Sequence, residues 1–513
     1  MPRTLFIEIL FRHLKENRLA YLLVISLKCI KLGSAKVNKS IIKNFAVQSR
    51  KELKVKVRAS LYDMGKDKIK SLNEKDDDAY NKIIEETAYI WFNRFISIRF
   101  MEVNHYIPTE IGVLSCFNPA DIEMNIVVKA NDLKFNIDSE KIDEMKLNAN
   151  VDELFKYMII TEWNSLNKIL PSVFKKEENY VELLFPHKLI KEGSFIKNLL
   201  DKNIISENDW RNVEIIGWLY EYYELEEKNR IIKSKHKYTK EEIPCATQLF
   251  TPDWIVKYMV QNSLGRYWIE LHPEHGDLKE KWEFYIENSE KKEDIVYKLK
   301  PYIDKKLKVE QIKCFDPACG SGHILIYIFD LLYDIYIKCG YKKENIPTLI
   351  IENNLYGLDI DDRACQLACF SIIMRGMRYN KELLNSTKEK SIKFNIVSIQ
   401  ETNSFDDKDI AYIAGENLGK NYNRTKSFIE NFKNAKIYGS LLKLDTFNIQ
   451  FFKNRLEYIR NGISNNVIEE SRRKKVLRLM PQLIKQSEIM LKTYDILVAN
   501  PPYIGNKYLN PLL

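Results

Sequence analysis

The chain has 513 residues, 45% hydrophobic and 29% charged, with 17 Gly and 15 Pro; these proportions exclude a disordered or fibrous polymer and leave room for two or three domains of about 100–200 residues. The formal net charge of +9, from 80 Lys and Arg against 71 Asp and Glu, permits a polyanionic partner without requiring one. Eight cysteines without a CxxC pair indicate neither a disulfide framework nor a zinc knuckle, and reduced thiols in a cytoplasmic protein are expected.

The apolar run LAYLLVISL, residues 19–27, falls far short of the about 20 residues that a membrane span needs, so no membrane association is expected. Residues 1–36 read as an extension outside the domain proper. Val37 is then the expected initiator, because VNKSIIKNFAVQSRKEL opens an amphipathic helical pattern there. From 37 to 240 a mainly helical N-terminal domain is expected, as in AYNKIIEETAYIWFNRFISIRFMEV, where apolar residues recur every three or four positions. At that spacing Tyr89, Trp91, Phe92 and Phe95 are expected in the core rather than stacked on nucleic-acid bases. The basic run KNRIIKSKHK, 228–237, reads as a solvated face. His272 and His275 are separated by a proline and lack a third ligand nearby, which predicts surface histidines and no metal site.

After about residue 241 short apolar runs are punctuated by Gly, Asp and Pro: IKCFDPACGSGHILIYIFDLL, NNLYGLDIDDRACQLACFSIIM, KFNIVSIQ and YDILVANPPYIG. Strands alternating with helices predict an α/β fold, a parallel sheet with ligands at the carboxyl ends of its strands near a topological switch point. Two polar, helix-rich stretches, about 270–310 and 402–490, are expected as insertions or long connections.

Three loops carry chemistry. In FDPACGSGHIL a strand ends in Asp316, passes through a small-residue turn and enters a helix; Gly320 and Gly322 let the backbone turn tightly against a ligand, and the helix N-terminus offers free amides. Neither the GK[ST] of a nucleotide-triphosphate loop nor GxGxxG is present. In LYGLDIDDRACQLA, Asp359 closes a second strand, where an acid binds ribose hydroxyls, although the 39 positions from Gly320 exceed the usual separation of about 20. Asp361 or Asp362 caps the following helix, and a shift of register exchanges either with Asp359. After YDILVA, expected as a buried strand, Asn500-Pro501-Pro502-Tyr503 forms a stiff loop. It can present the Asn500 amide oxygen and the Pro501 carbonyl to an exocyclic amine, with the Tyr503 ring against a planar base.

DPACGSG, GLDID and NPPY in this order resemble the gamma-class adenine-N6 methyltransferases of DNA, and ATQLFTPDWIV resembles that class's Thr-Pro motif. More narrowly, ATQLFTPDWIVKYMVQNSLGRYW, FKNAKIYGSLL and VANPPYIGNKYLN are similar to the adenine methyltransferase of BREX, or phage growth limitation, defence systems. The resemblance runs from about Val37 to the end and is strongest after Ala246. It implies a Rossmann-like fold that binds S-adenosylmethionine through Phe250, Thr251, Pro252, Asp316, Ala318, Gly320, Gly322, Asp359 and Ile360. It also implies methyl transfer to N6 of an adenine flipped out of double-stranded DNA, with Asn500, Pro501, Pro502 and Tyr503 catalytic. A third-strand residue for the cofactor's adenine has two candidates, Gln400 and Glu401.

In the family pattern further strands and a DNA-reading region follow the catalytic loop. The expectation is therefore the N-terminal part of a methyltransferase domain, 241–513, with a sheet incomplete at its C-terminal end, poor stability and no activity alone. A separately encoded C-terminal part or other defence proteins are the expected partners. The competing readings are a glutamine or ribosomal-RNA guanine N-methyltransferase, which shares the NPPY-type loop, and an inactive fragment or partner subunit.

Overall fold

The computed structural model describes residues 38–64, 77–108, 112–115, 138–148, 150–171, 173–174, 179–191, 193–287, 306–386, 392–510 and 512. The expected N-terminal extension and its apolar run lie outside these residues, as does 288–305 of the first expected insertion. The chain divides into two units, 1–41 and 42–513; apart from the first three residues of the first helix, everything below concerns the second. Among the described residues no helix is long and apolar enough to cross a membrane.

The first part is helical, as its periodicity predicts: α1 (Lys39–Met64), α2 (Asp77–Val103), α3 (Val151–Ile169), α4 (Glu214–Tyr223) and α5 (Leu225–Ser234) are its longer helices. The second half of α2 is apolar on nearly every side, so it can be stable only when surrounded. Tyr89, Trp91, Phe92 and Phe95 are all buried. Phe95 stacks on Phe155 of α3, and Phe92 lies 4.5 Å from Tyr223 of α4 between ring centroids. Trp91 meets Phe185 edge-on at 4.7 Å and donates its indole N–H to the Val181 carbonyl at 3.0 Å. Trp91→Ala is expected to lower unfolding free energy by about 3–5 kcal/mol, read as the shift of a urea transition with unchanged slope.

The sheet has four parallel strands in the order β3-β2-β1-β4: β1 (Cys314–Asp316), β2 (Leu355–Asp359), β3 (Asn395–Ser398) and β4 (Ile496–Leu497). Between them run α6 (Asp253–Val260) ahead of β1, α7 (His323–Lys338) after β1 and α8 (Asp362–Tyr379) after β2. From β3 to β4 follow α9 (Asp407–Ala414), α10 (Lys420–Glu430), α11 (Ile449–Asn461) and α12 (Val467–Met490). Period-two geometry divides β2 between two faces. Gly357 faces α7 so closely that a Cβ would lie 3.2 Å from Leu325 Cδ1. Tyr356 and Leu358 point the other way, into a core with Val397, Phe428, Phe452, Met480 and Leu483. The stretch at 402–490, expected as an insertion or long connection, thus covers the β2–β3 part of one face of the sheet.

Two expectations need correction. YDILVA is not a fully buried strand: β4 pairs with β1 alone, and while Ile496 and Val498 are buried, Leu497 is 63% exposed. An edge strand with one solvated face reads as a continuous apolar run when its outward residue is Leu. The histidines at 272 and 275 are not simple surface groups. The His272 ring packs against that of Trp268 at 4.1 Å, and His275 accepts the Trp268 indole N–H at 3.1 Å, so the pair seats a buried tryptophan. Among the described residues no cluster suited to a metal ion occurs.

Candidate active site

The strand order reverses between β1 and β4. Strands β1, β2 and β3 run outward in one direction, and β4 returns to the other side of β1. The carboxyl ends of this pair, where the order reverses, are the usual position of a ligand crevice in an open parallel sheet. The loop after β1 is DPACGSG and the loop after β4 is NPPY, so the two most distinctive segments of the sequence flank one crevice.

In the glycine loop Gly320 and Gly322 take φ values of +51° and +86°, a region costly for any side chain with a Cβ. They are not equivalent. A Cβ on Gly322 would lie 3.0 Å from the Cα and Cβ of Ala368 in α8, whereas a Cβ on Gly320 would meet nothing within 4 Å. Gly322 brings two helices together; Gly320 exposes backbone to open space. The Gly320 N–H donates to Asp359 Oδ2 at 2.8 Å, and Asp359 Oδ1 accepts from the Asp361 N–H at 2.9 Å. Asp359 therefore joins the ends of β1 and β2, and Asp361, rather than Asp362, caps α8.

Asp316 is fully buried. Its Oδ1 accepts the Ala318 N–H at 3.1 Å, while Oδ2 has no partner. Burial, aided by the neighbouring Asp359 carboxylate, pushes Asp316 up to about 8, and Asp359 itself rises to about 6, chiefly through burial. Two carboxyls with an orphaned oxygen at a glycine loop form a cradle suited to a cation.

The Thr-Pro segment closes the crevice from the side. The Phe250 ring lies 4.0 Å from that of His323, the first residue of α7, and tilted to it, and Thr251 is buried while Pro252 is exposed. The Asn500 side-chain NH2 donates to Thr251 Oγ1 at 2.9 Å, across 249 positions of sequence. Pro501 and Pro502 are exposed, and Tyr503 is 80% exposed with its ring face open. Beyond them the chain folds back. Tyr238 N–H donates to the Tyr508 carbonyl at 3.0 Å, their rings stack at 5.4 Å, and Ile504 and Tyr508 pack against Ile231, Ile243 and Cys245. Tyr503 is thus the exposed crest of a loop held on both sides.

Several residues that shape the crevice carried no motif. Gly217 in α4 lets that helix sit on the glycine loop: a Cβ there would lie 2.7 Å from the Phe250 ring and 3.0 Å from Ser321 Oγ. Tyr220, one turn on, donates its hydroxyl to Asp361 at 2.9 Å. Arg363 pairs with Asp361 and with Glu224 at the end of α4 and lies 4.3 Å over the Tyr89 ring. On the far side, Asp362 accepts from Gln400 Nε2 at 2.6 Å, Lys436 Nζ at 2.7 Å and the Ser398 hydroxyl. Burial would raise Asp362, but Lys436 and these hydrogen bonds hold it below the usual carboxylate range. Of the two third-strand candidates, Gln400 belongs to this cluster, while Glu401 pairs with Lys240. Ile360 lies beside Gly439 of the FKNAKIYGSLL segment. The pairing of Glu401 with a lysine 161 positions away leaves no trace in local periodicity.

Comparisons with known proteins place similar sequences over this region. Residues 287–511 match the family described as MmeI, DNA-methyltransferase domain, a span holding the glycine loop, Asp359 and Asn500. The adenine-specific methyltransferase BrxX of Escherichia coli is 34% identical over 461 residues, covering 85% of this chain and 37% of that protein. The adenine-specific methyltransferase PglX of Lacticaseibacillus casei is 35% identical over 464 residues, covering 84% and 36%. A putative type II restriction enzyme and methyltransferase of Methanocaldococcus jannaschii is 25% identical over 314 residues, covering 55% and 24%. The chain spans little more than a third of the length of the first two relatives. Over 84–85% of its length the chain is similar to the BrxX and PglX adenine-specific methyltransferases, and its residues 287–511 match the DNA-methyltransferase domain family described for MmeI.

Proposed function

We propose that residues 241–513 form the cofactor-binding and catalytic-loop portion of an S-adenosylmethionine-dependent, Rossmann-like DNA methyltransferase acting on adenine N6, within a bacterial phage-defence or restriction system. The observation that carries this reading is the Asn500–Thr251 hydrogen bond, which brings the NPPY and Thr-Pro segments together over the glycine loop at the switch point. The adenine-specific relatives favour DNA adenine over the glutamine and ribosomal-RNA guanine readings. Duplex DNA, and any chain supplying the regions of the relatives beyond this one, are the proposed partners; the cytoplasm is the proposed location.

The residues fit the cofactor. Its ammonium group answers the orphaned Asp316 Oδ2, Asp359 stands where ribose hydroxyls bind, and Gly320 leaves room for close approach. Ala318, Gly322 and Ile360 line the same loops, and Phe250, Thr251 and Pro252 lie on the methionine side. When bound, S-adenosylmethionine supplies a sulfonium-activated methyl group. The chain's own task is to hold the amine that receives it. Asn500 Oδ1 and the Pro501 carbonyl accept the two amine hydrogens, drawing the nitrogen lone pair out of conjugation with the ring. Pro502 stiffens the loop, and the open face of Tyr503 stacks on the flipped base.

The direct test incubates the chain, together with a polypeptide supplying the regions of the relatives beyond it, with labelled cofactor and equal amounts of duplex DNA, ribosomal RNA and release-factor protein, then digests each product. Label in N6-methyladenine of DNA is expected. Label in protein glutamine or RNA guanine instead would overturn the assignment. A second prediction concerns Gly217→Ala: overpacking against Phe250 and Ser321 costs about 1–3 kcal/mol. The added methyl displaces Phe250, so cofactor affinity should fall about tenfold for each 1.4 kcal/mol felt at the site, measured by calorimetry beside a urea transition.

A further inference from the structure

The amide of Asn500 has two ends with opposite chemistry. Only its oxygen is of use to an amine whose hydrogens must be accepted; the NH2 end, turned toward the same amine, would oppose donor to donor. A planar amide can reverse at little steric cost, so something must fix its orientation. In the structure the NH2 end is committed, since Asn500 Nδ2 donates to Thr251 Oγ1 at 2.9 Å. Among the described residues Asn500 Oδ1 takes no hydrogen bond. Thr251 is 8% exposed, so water does not easily replace its hydroxyl as acceptor. Thr251 is itself held. It follows Phe250, whose ring packs against that of His323 at 4.0 Å, and it lies two residues before α6, whose N-cap is Pro252.

We infer that Thr251 is a positioning residue for the methyl-transfer step: its hydroxyl oxygen binds the NH2 end of the Asn500 amide and thereby leaves Oδ1 to accept from the adenine N6 amine. This deepens the function proposed above and rests on that reading of the site. It assigns Thr251 a part beyond contact with the methionine portion of the cofactor, and the two parts are compatible, because a hydroxyl that accepts from Asn500 still has its own proton to donate. It also explains why the Thr-Pro segment and the catalytic loop must meet. A shift of either one frees the amide to turn.

The test uses the whole chain with its asparagine side-chain amides labelled with nitrogen-15 and compares wild type, Thr251→Val, which keeps the shape and removes the acceptor, and Thr251→Ser, which restores it. The Asn500 NH2 resonances, identified by their loss in Asn500→Ala, should move in Thr251→Val and return in Thr251→Ser, while the remaining amide signals stay in place. Methyl-transfer kinetics at saturating cofactor should show kcat reduced about 10- to 100-fold in the valine variant. That is less than the roughly 100- to 1000-fold cost of removing a whole transition-state contact. KM for DNA should change little, and serine should recover most of the rate. Should Thr251→Val perturb the fold, Thr251→Ala in the same spectra replaces it. Unmoved Asn500 resonances in the valine variant would overturn the inference, and so would a loss confined to cofactor affinity with kcat intact at saturation. Failure of the wild type to bind S-adenosylmethionine would instead fall on the proposed function.

Discussion

Binding of S-adenosylmethionine at pH 7 is expected to release about one proton, the occupancy that a carboxyl titrating near 8 still holds at that pH. The source is Asp316, pushed up to about 8 by burial, with the Asp359 carboxylate adding to the effect. A ligand that brings an ammonium to the unpartnered Oδ2 stabilises the ionised form and must displace the proton. Calorimetry in buffers of different ionisation enthalpy reads this number directly. Affinity should rise between pH 6 and 8, and both effects should vanish in Asp316→Asn. The cofactor-free protein should show the opposite trend in stability. The folded-state values of Asp316 and Asp359 lie above the ordinary 3.8, so this contribution is complete below about pH 4. It is lost as pH rises through about 6 for Asp359 and about 8 for Asp316. A stability profile flat across that window would mean that neither carboxyl is held protonated.

Removing the Asn500 amide should have the largest effect on chemistry. In any preparation of this chain that transfers methyl groups to DNA, Asn500→Ala is expected to slow the single-turnover rate about 100- to 1000-fold, the cost of losing one positioned transition-state contact. Cofactor affinity should stay nearly unchanged, because Asp316, Gly320 and Asp359 remain. Loss of cofactor binding equal to the loss of rate would show that Asn500 serves the pocket rather than the amine.

These effects fall on residues that the sequence marks, because their chemistry is written in short, contiguous runs. The turn after β1 needs glycine at φ +51° and +86°, and a strand that ends in acid or Asn-Pro-Pro is rare enough to be noticed. The helical first part is legible for a similar reason: a helical stretch as apolar as the second half of α2 has to be buried. What the sequence did not show depends on meetings between distant segments. Gly217 lies in an ordinary amphipathic helix, and its absent side chain matters only because Phe250 and Ser321 arrive opposite it. Tyr220, Arg363 and Lys436 are similarly unmarked, although they tie the helical part and the 402–490 region to the carboxyl end of β2. That region reads as an insertion or a long connection because its amphipathic helices are polar on the solvent side. The same pattern describes helices that cover one face of a sheet. The exposed side of β4 escaped notice because Leu497 is as apolar outward as Ile496 is inward.

The central claim is that the crevice between the glycine loop and the NPPY loop binds S-adenosylmethionine, and isothermal titration of the purified chain tests it most directly, beside an Asp359→Ala variant whose fold is checked by circular dichroism. The account predicts saturable binding by the wild-type chain that is lost or strongly weakened in the variant, since Asp359 both holds the Gly320 amide and stands at the ribose position. No binding by a folded wild-type chain, or equal binding by both, would contradict it.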